Sequence, residues 1–308
     1  MSLVTPCTEL FNIQSPIMLA GMNVAAGPDL AAAVTNAGGL GVIGGVNYTP
    51  AFLKKQIQEL KDSLNDNSAP FGIDLLIPQV GGSARKTNKD YTGGQLNQLI
   101  DVIIEEKAAL FVCAVGVPPK EVIERLHKAH IPIMNMGGEG GGLLIPELVA
   151  LCQRYKSPLS GKPVQVIAAG GIYRGSSLAA MLSYGATGVW VEEAGASAAH
   201  QKAVISAGFT DTVRTIIYSG RPMRVRKTPY NTDWEENRQK EIKELTSAGK
   251  IPVGMTPDNP ANRPVLMGKT AAVVHEIQPA KQIVDEMVEE AVRCLQASSS
   301  LVRVKAKL

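Results

Sequence analysis

Apolar residues in the first two thirds of the chain come in short, nearly unbroken runs rather than in alternation with polar ones. Seven stretches stand out: "SPIMLA", "GVIGGV", "FGIDLLIP", "ALFVCAVGV", "IPIMNM", "VQVIAA" and "TGVWV". A strand reads this way when both of its faces are covered, as in parallel sheets flanked by helices. Helical patterns with recognisable punctuation lie between the runs. Pro28-Asp29 opens "DLAAAVTNAGG" with Gly38 placed to end it, Pro119 opens "KEVIERLHKA", and Pro146 opens "ELVALCQRY". The alternation predicts an α/β fold of the (β/α)8, TIM-barrel-like kind rather than an open sheet.

The strand count falls one short of eight. Closing a barrel ties strand number to tilt and stagger, so losing a strand is not a small edit. The deficit falls at "MNMGGEGGGLLIP", Met134 to Pro146, where the fifth run leads straight into glycines. Between Ile131 and Pro146 there is no length for a further strand and helix. We therefore expect a barrel lacking one strand–helix unit. Residues 228–268 are polar and irregular around one charged helix. A last amphipathic helix starts at Pro279 and carries Ile283, Val284, Met287, Val288, Ala291 and Leu295 at helical spacing. The expected organisation is a barrel over residues 1–227, with an excursion and helix over 228–308 packed against it.

Charge narrows the partners. Lys+Arg 31 against Asp+Glu 28 leaves a net +3, too little to point to nucleic acid or a membrane surface. No apolar run is long enough to span a bilayer, and "MSLVTPCTELFN" lacks the basic and apolar regions of a secretory leader. Cys7, Cys113, Cys152 and Cys294 are scattered, with no metal-binding spacing, and read as reduced core residues of an intracellular protein. Ala306-Lys307-Leu308 is a conservative variant of the Ser-Lys-Leu peroxisomal address. A cytoplasmic or peroxisomal location is therefore expected. Natural substrate and oligomeric state are not legible.

Two glycine motifs differ in meaning. Gly39-Leu40-Gly41-Val42-Ile43-Gly44 fits G-x-G-x-x-G, but it follows a helix and enters a strand, the reverse of a dinucleotide site. It reads as a helix end and a tight turn. In "VIAAGGIYRG", Gly170 and Gly171 follow a strand and precede a helix starting near Ser176. Loops after the last two strands of such barrels commonly bind phosphate through backbone N–H groups.

"SPIMLAGM", "AVTNAGGLGVIGG", "FGIDLLIP", "GGEGGG", "VIAAGGI" and "GATGVWV", in this order, resemble the nitronate monooxygenase family, formerly the 2-nitropropane dioxygenases. "YSGRPMRVRKTP" and "MGKTAAVVHEIQPAKQIVDEMV" extend the likeness. The resemblance implies an FMN-bearing barrel that oxidises alkyl nitronates with O2 to nitrite and a carbonyl compound. It further implies that Ala20, Gly21, Met22, Gly138 and Ala169 line the flavin, with Gly170 and Gly171 on its phosphate. Asp74 takes the place of an Asn beside the ring, and a carboxyl group donates a hydrogen bond only when protonated. Arg85 and Lys86 are candidates to attract an anionic nitronate.

The chain departs from the family pattern in three ways. The histidine that usually serves as catalytic base is replaced by Leu143, which can neither take nor give a proton. The strand–helix unit before "GGEGGG" is missing. After "GVWV", the expected Gly-Thr gives way to "EEAGASAAHQKAV". His127, His130, His200 and His275 lie elsewhere and read as surface or packing residues. Three alternatives stay open: a nitronate monooxygenase working without the histidine, a degenerate homologue with weak or no FMN binding, and a flavin-dependent enoyl reductase-type enzyme.

Overall fold

The seven apolar runs form seven strands. In the computed structural model, which describes residues 2–22, 25–78, 86–136, 141–191 and 198–302, they are β1 (Ile17–Leu19), β2 (Gly41–Gly44), β3 (Phe71–Ile77), β4 (Leu110–Val115), β5 (Ile133–Asn135), β6 (Ile167–Ala169) and β7 (Gly188–Val191). Two further strands, β8 (Thr212–Thr215) and β9 (Met223–Arg226), come later. The helices are α1 (Pro6–Phe11), α2 (Pro28–Asn36), α3 (Pro50–Asp62), α4 (Leu96–Glu105), α5 (Lys120–Lys128), α6 (Gly141–Cys152), α7 (Gly175–Ser183), α8 (Ala198–Ile205), α9 (Pro229–Asn237), α10 (Gln239–Ser247) and α11 (Ala280–Ser300).

One sheet has the order β1-β7-β6 and another β2-β3-β4-β5, joined by a parallel bridge between Met18 and Leu40. The pairs β1–β7, β2–β3, β4–β5 and β6–β7 are all parallel. The strands thus follow one another around a TIM-barrel-like α/β fold, with the order broken between β5 and β6 among the described residues. That is where the sequence is short of a strand and helix.

Successive side chains of one strand enter different cores, which is why the runs lack alternation. Met18 and Trp190 join an inner cluster with Ala20, Leu40, Val42, Leu110 and Val112. Their neighbours Ile17, Val189 and Val191 join an outer cluster with Leu178 of α7 and Val284, Met287 and Val288 of α11. Helix starts follow local rules. Thr5 and Thr49 accept hydrogen bonds from Thr8 N–H and Phe52 N–H at the starts of α1 and α3, and proline occupies the first turn of both. Just before the G-x-G-x-x-G stretch, Gly38 (φ +91°) follows α2, and within it a Cβ at Gly41 would overlap the Ala31 carbonyl. The motif is a close helix–strand turn, as its placement in the sequence implied.

The chain divides into two compact units: residues 1–76, 92–195 and 278–308, and residues 77–91 and 196–277. This differs from the expected boundary after residue 227. The Pro279-led helix belongs with the strands because its apolar side packs on α7 and α2. In the second unit, β8 and β9 form an antiparallel hairpin over Ile217, Tyr218, Val225, Trp234 and Ile242. The hairpin was not expected, since "TVRT" and "MRVR" are short and charged. The single charged helix expected in 228–268 is two, α9 and α10, separated at Arg238, whose guanidinium lies 3.4 Å from the Trp234 ring centre. Helix α6 begins at Gly141 rather than Pro146. A proline this close to a helix start removes one backbone hydrogen bond without ending the helix.

Candidate functional site

Strand β1 ends in a tight turn. Ala20 N–H donates to the Val191 carbonyl (2.9 Å), continuing the pairing with β7, and Met22 N–H donates to the Ala20 carbonyl (2.8 Å). Between them, Gly21 lies against β3: a Cβ there would stand 2.4 Å from the Cβ of Asp74. Any side chain at Gly21 would push the carboxyl group out of place. Gly21, just past the end of β1, thus brings the Ala20–Met22 turn against Asp74 in the middle of β3.

Asp74 is 2% exposed. The backbone amide of Ala114, in β4, donates to its carboxyl group, while Oδ1 has no hydrogen-bond partner among the described residues. Burial outweighs that single amide and lifts the pKa to about 8. At neutral pH the group is mostly protonated and carries an O–H donor, which removes the objection that a carboxylate cannot stand in for an amide.

The support beneath Asp74 includes residues that sequence reasoning missed. Val115, next to Ala114, has φ +87°, a left-handed conformation that a β-branched residue adopts only at a cost of about 1–3 kcal/mol. Cys113 is held by Asn135, whose Nδ2 donates to Sγ (3.3 Å) and to the Gly116 carbonyl (2.8 Å). Burial above all, with a smaller contribution from Asp74, pushes the Cys113 thiol up to about 11, so it stays protonated and is no nucleophile. Nothing in "LFVCAVGV" announces a strained valine.

Strand β6 ends differently. Ala169 pairs with Trp190 of β7, and Gly170 and Gly171 follow with φ +85° and +72°, exposed to solvent. Nothing lies within 4 Å of a Cβ added at either. An open turn of consecutive left-handed residues presents backbone N–H groups suited to an anion. The start of the following helix is already taken. Gly175 N–H donates to Glu290 Oε2 (2.8 Å), and Arg174 Nε donates to Glu290 Oε1 (2.9 Å). These bonds, the arginine first, hold the Glu290 carboxyl below the usual range. Among the described residues the turn, not the α7 terminus, is thus the part left open to solvent.

The remaining candidates separate. Lys86 belongs to the other compact unit, beside the Gly249 turn. Leu143 stands in the first turn of α6 and is 88% exposed. Gly138, Arg85 and Ala306-Lys307-Leu308 lie outside the described residues. His127 ends α5, His130 is in the turn after it, and an imidazole nitrogen of His200 in α8 lies 3.1 Å from the Leu266 carbonyl. Among the described residues there is no grouping of side chains that could hold a metal ion, and no helix is long and apolar enough to cross a membrane.

Comparison with known proteins follows the same contour. The nitronate monooxygenase family matches residues 4–138 and again 130–290, so its pattern breaks at the glycine stretch where the unit is missing. A protein of Staphylococcus saprophyticus named "Probable nitronate monooxygenase" is 28% identical over 73% of this chain and 79% of its own. The (3aS,4S,5R,7aS)-5-hydroxy-7a-methyl-1-oxo-octahydro-1H-indene-4-carboxyl-CoA dehydrogenase of Rhodococcus jostii is 30% identical over 74% of this chain and 67% of its own. Among solved structures, FabK from Thermotoga maritima superposes with a TM-score of 0.74 at 23% identity, covering 98% of this chain and 100% of that one. With nearly the whole strand-and-helix series matched on both sides of the break, the chain belongs to the nitronate monooxygenase family.

Proposed function

We propose that this chain is a flavin-dependent oxidoreductase that binds FMN and oxidises alkyl nitronates with O2, giving a carbonyl compound and nitrite. Family membership supports oxidoreductase chemistry on a flavin. One observation carries the reading further. Within one unit, an open glycine turn at the end of β6 accompanies a buried carboxyl group with an orphan oxygen at β3. The turn fits a phosphate, and the orphan oxygen fits a polar ring edge.

Gly170 and Gly171 would hold the phosphate through their N–H groups. Ala20, Gly21, Met22 and Ala169 would line the flavin, and the protonated Asp74 would offer it an O–H. Bound FMN supplies the electron transfer and the reaction with O2. The chain's part is to bind, orient and keep a proton on Asp74. A nitronate is already deprotonated, so Leu143 in place of histidine removes a base that this substrate does not need.

A second reading rests on the dehydrogenase of Rhodococcus jostii, whose name gives a CoA thioester as substrate. It would make this chain a redox enzyme of acyl-CoA-like compounds, close to the enoyl reductase alternative. The remaining alternative, a degenerate homologue with weak or no flavin binding, rests on the break in strand order between β5 and β6 among the described residues.

Visible absorbance of the purified protein, with and without added FMN, tests the binding. A colourless protein that takes up no flavin overturns the proposal. If it is yellow, anaerobic mixing with a nitronate should bleach it. Bleaching by NADH or an acyl-CoA substrate, but not by the nitronate, would favour the second reading.

A further inference from the structure

Helix α6 follows β5 in the chain and packs on β6, and its two faces differ sharply. Ile145, Leu148, Val149 and Cys152 face the outer core. Roughly opposite on a 3.6-residue period lie Leu143, Glu147, Ala150 and Leu151, with Arg154 in the turn that continues the helix. Leu143 is 88% and Leu151 46% exposed. A surface groove is lined by Glu147, Leu148, Ala150, Leu151 and Arg154.

The charges on this stripe are arranged to suit a copy of the same surface. Glu147 and Arg154 are both exposed and stand about 10 Å apart along the axis, too far to pair within one chain. Set two such helices antiparallel about a two-fold axis passing between Ala150 and Leu151. Each Glu147 then faces the other copy's Arg154, and each Leu151 faces the other copy's Ala150, whose small side chain permits close approach. An isologous interface requires this self-complementarity. Leu143 and Leu151 add exposed apolar surface to the same face.

We propose that the outer face of α6 is a homodimer interface, with a second copy of this chain as occupant, closed by two reciprocal Glu147–Arg154 ion pairs around an Ala150–Leu151 seam. One helix face buries less than a permanent dimer does, so association is reversible, concentration-dependent and weakened by salt. The proposal does not depend on what the flavin site binds.

Sedimentation velocity of the full chain over a range of concentrations and at low and high salt tests it. The wild-type chain should pass from monomer to dimer, and high salt should favour monomer. Arg154→Glu sets like charges against each other at both ends and should weaken dimerisation about tenfold or more. The double variant Glu147→Arg/Arg154→Glu restores both pairs with reversed polarity and should dimerise like the wild type. Circular dichroism is expected to be unchanged, because both positions are exposed. A monomer at every concentration would overturn the proposal. So would a dimer indifferent to Arg154→Glu, or a double variant no better than the single one.

Discussion

In the middle of β3 the chain buries a carboxyl group, one of whose oxygens has no hydrogen-bond partner among the described residues; at the end of β6 it exposes two glycines with nothing near an added Cβ. Both places belong to the same unit, yet their physics is opposite. At Asp74, low dielectric raises the cost of charge, so the group keeps its proton. At Gly170 and Gly171 the backbone is hydrated and left-handed, so it can accept a full negative charge at little desolvation cost. A nucleotide-like ligand needs both, one for a neutral polar ring and one for a phosphate. In the proposed reading the chain supplies them from two strands rather than from one motif.

The largest expected effect comes from the open turn. Gly170→Val with Gly171→Val forces β-branched residues into left-handed backbone at about 1–2 kcal/mol each and blocks approach to the N–H groups. FMN affinity should fall on the order of a hundredfold, read by quenching of flavin fluorescence. Unchanged affinity would mean that Asp74 and the glycine turn do not serve one ligand.

Asp74→Asn should act next, through pH. With its folded pKa raised to about 8, Asp74 binds its proton more tightly folded than unfolded. Stability therefore falls as pH rises from the ordinary carboxyl range towards 8, by at most about 1.4 kcal/mol per pH unit. The variant should lose that slope, so urea unfolding at several pH values compares the two directly. A slope retained in Asp74→Asn would place the titrating group elsewhere.

Glu290→Ala should cost about 1–2 kcal/mol, because it uncaps α7 and leaves Arg174 without its carboxylate. Glu290 is depressed in the fold, so its contribution is complete above the ordinary glutamate range and fades as pH drops through its folded value. Thermal unfolding at neutral and acid pH would register both. FMN affinity should hold if the turn alone binds phosphate, and a parallel loss would tie the α7 terminus to the site. Leu143→His should do least. At an exposed position its stability effect stays within about 0.5 kcal/mol, and nitroalkane turnover should not rise in a steady-state assay.

Much of the barrel was legible because the signals are local. Unbroken apolar runs such as "GVWV" show that both faces are covered, and the shortage near Met134 to Pro146 reappears as the break between β5 and β6. The Gly170–Gly171 turn was legible because consecutive glycines after a strand have few other uses. The β8–β9 hairpin was not, since "MRVR" is stabilised by partners distant in sequence. Nor was the split of the second unit, whose two segments are separated by 104 residues of the first.

The sequence by itself determined the order of the seven parallel strands, the shortage near Met134 to Pro146 and the left-handed turn at Gly170–Gly171, because each depends on hydrophobic period, proline and glycine within a few residues. Tertiary structure alone decided that Asp74 keeps its proton and that Glu290 fills the start of α7. Charge state depends on solvent exclusion and on neighbours brought together from other strands. Ala114 lies 40 residues from Asp74, and Glu290 lies 115 from Gly175, so no local pattern could carry either fact.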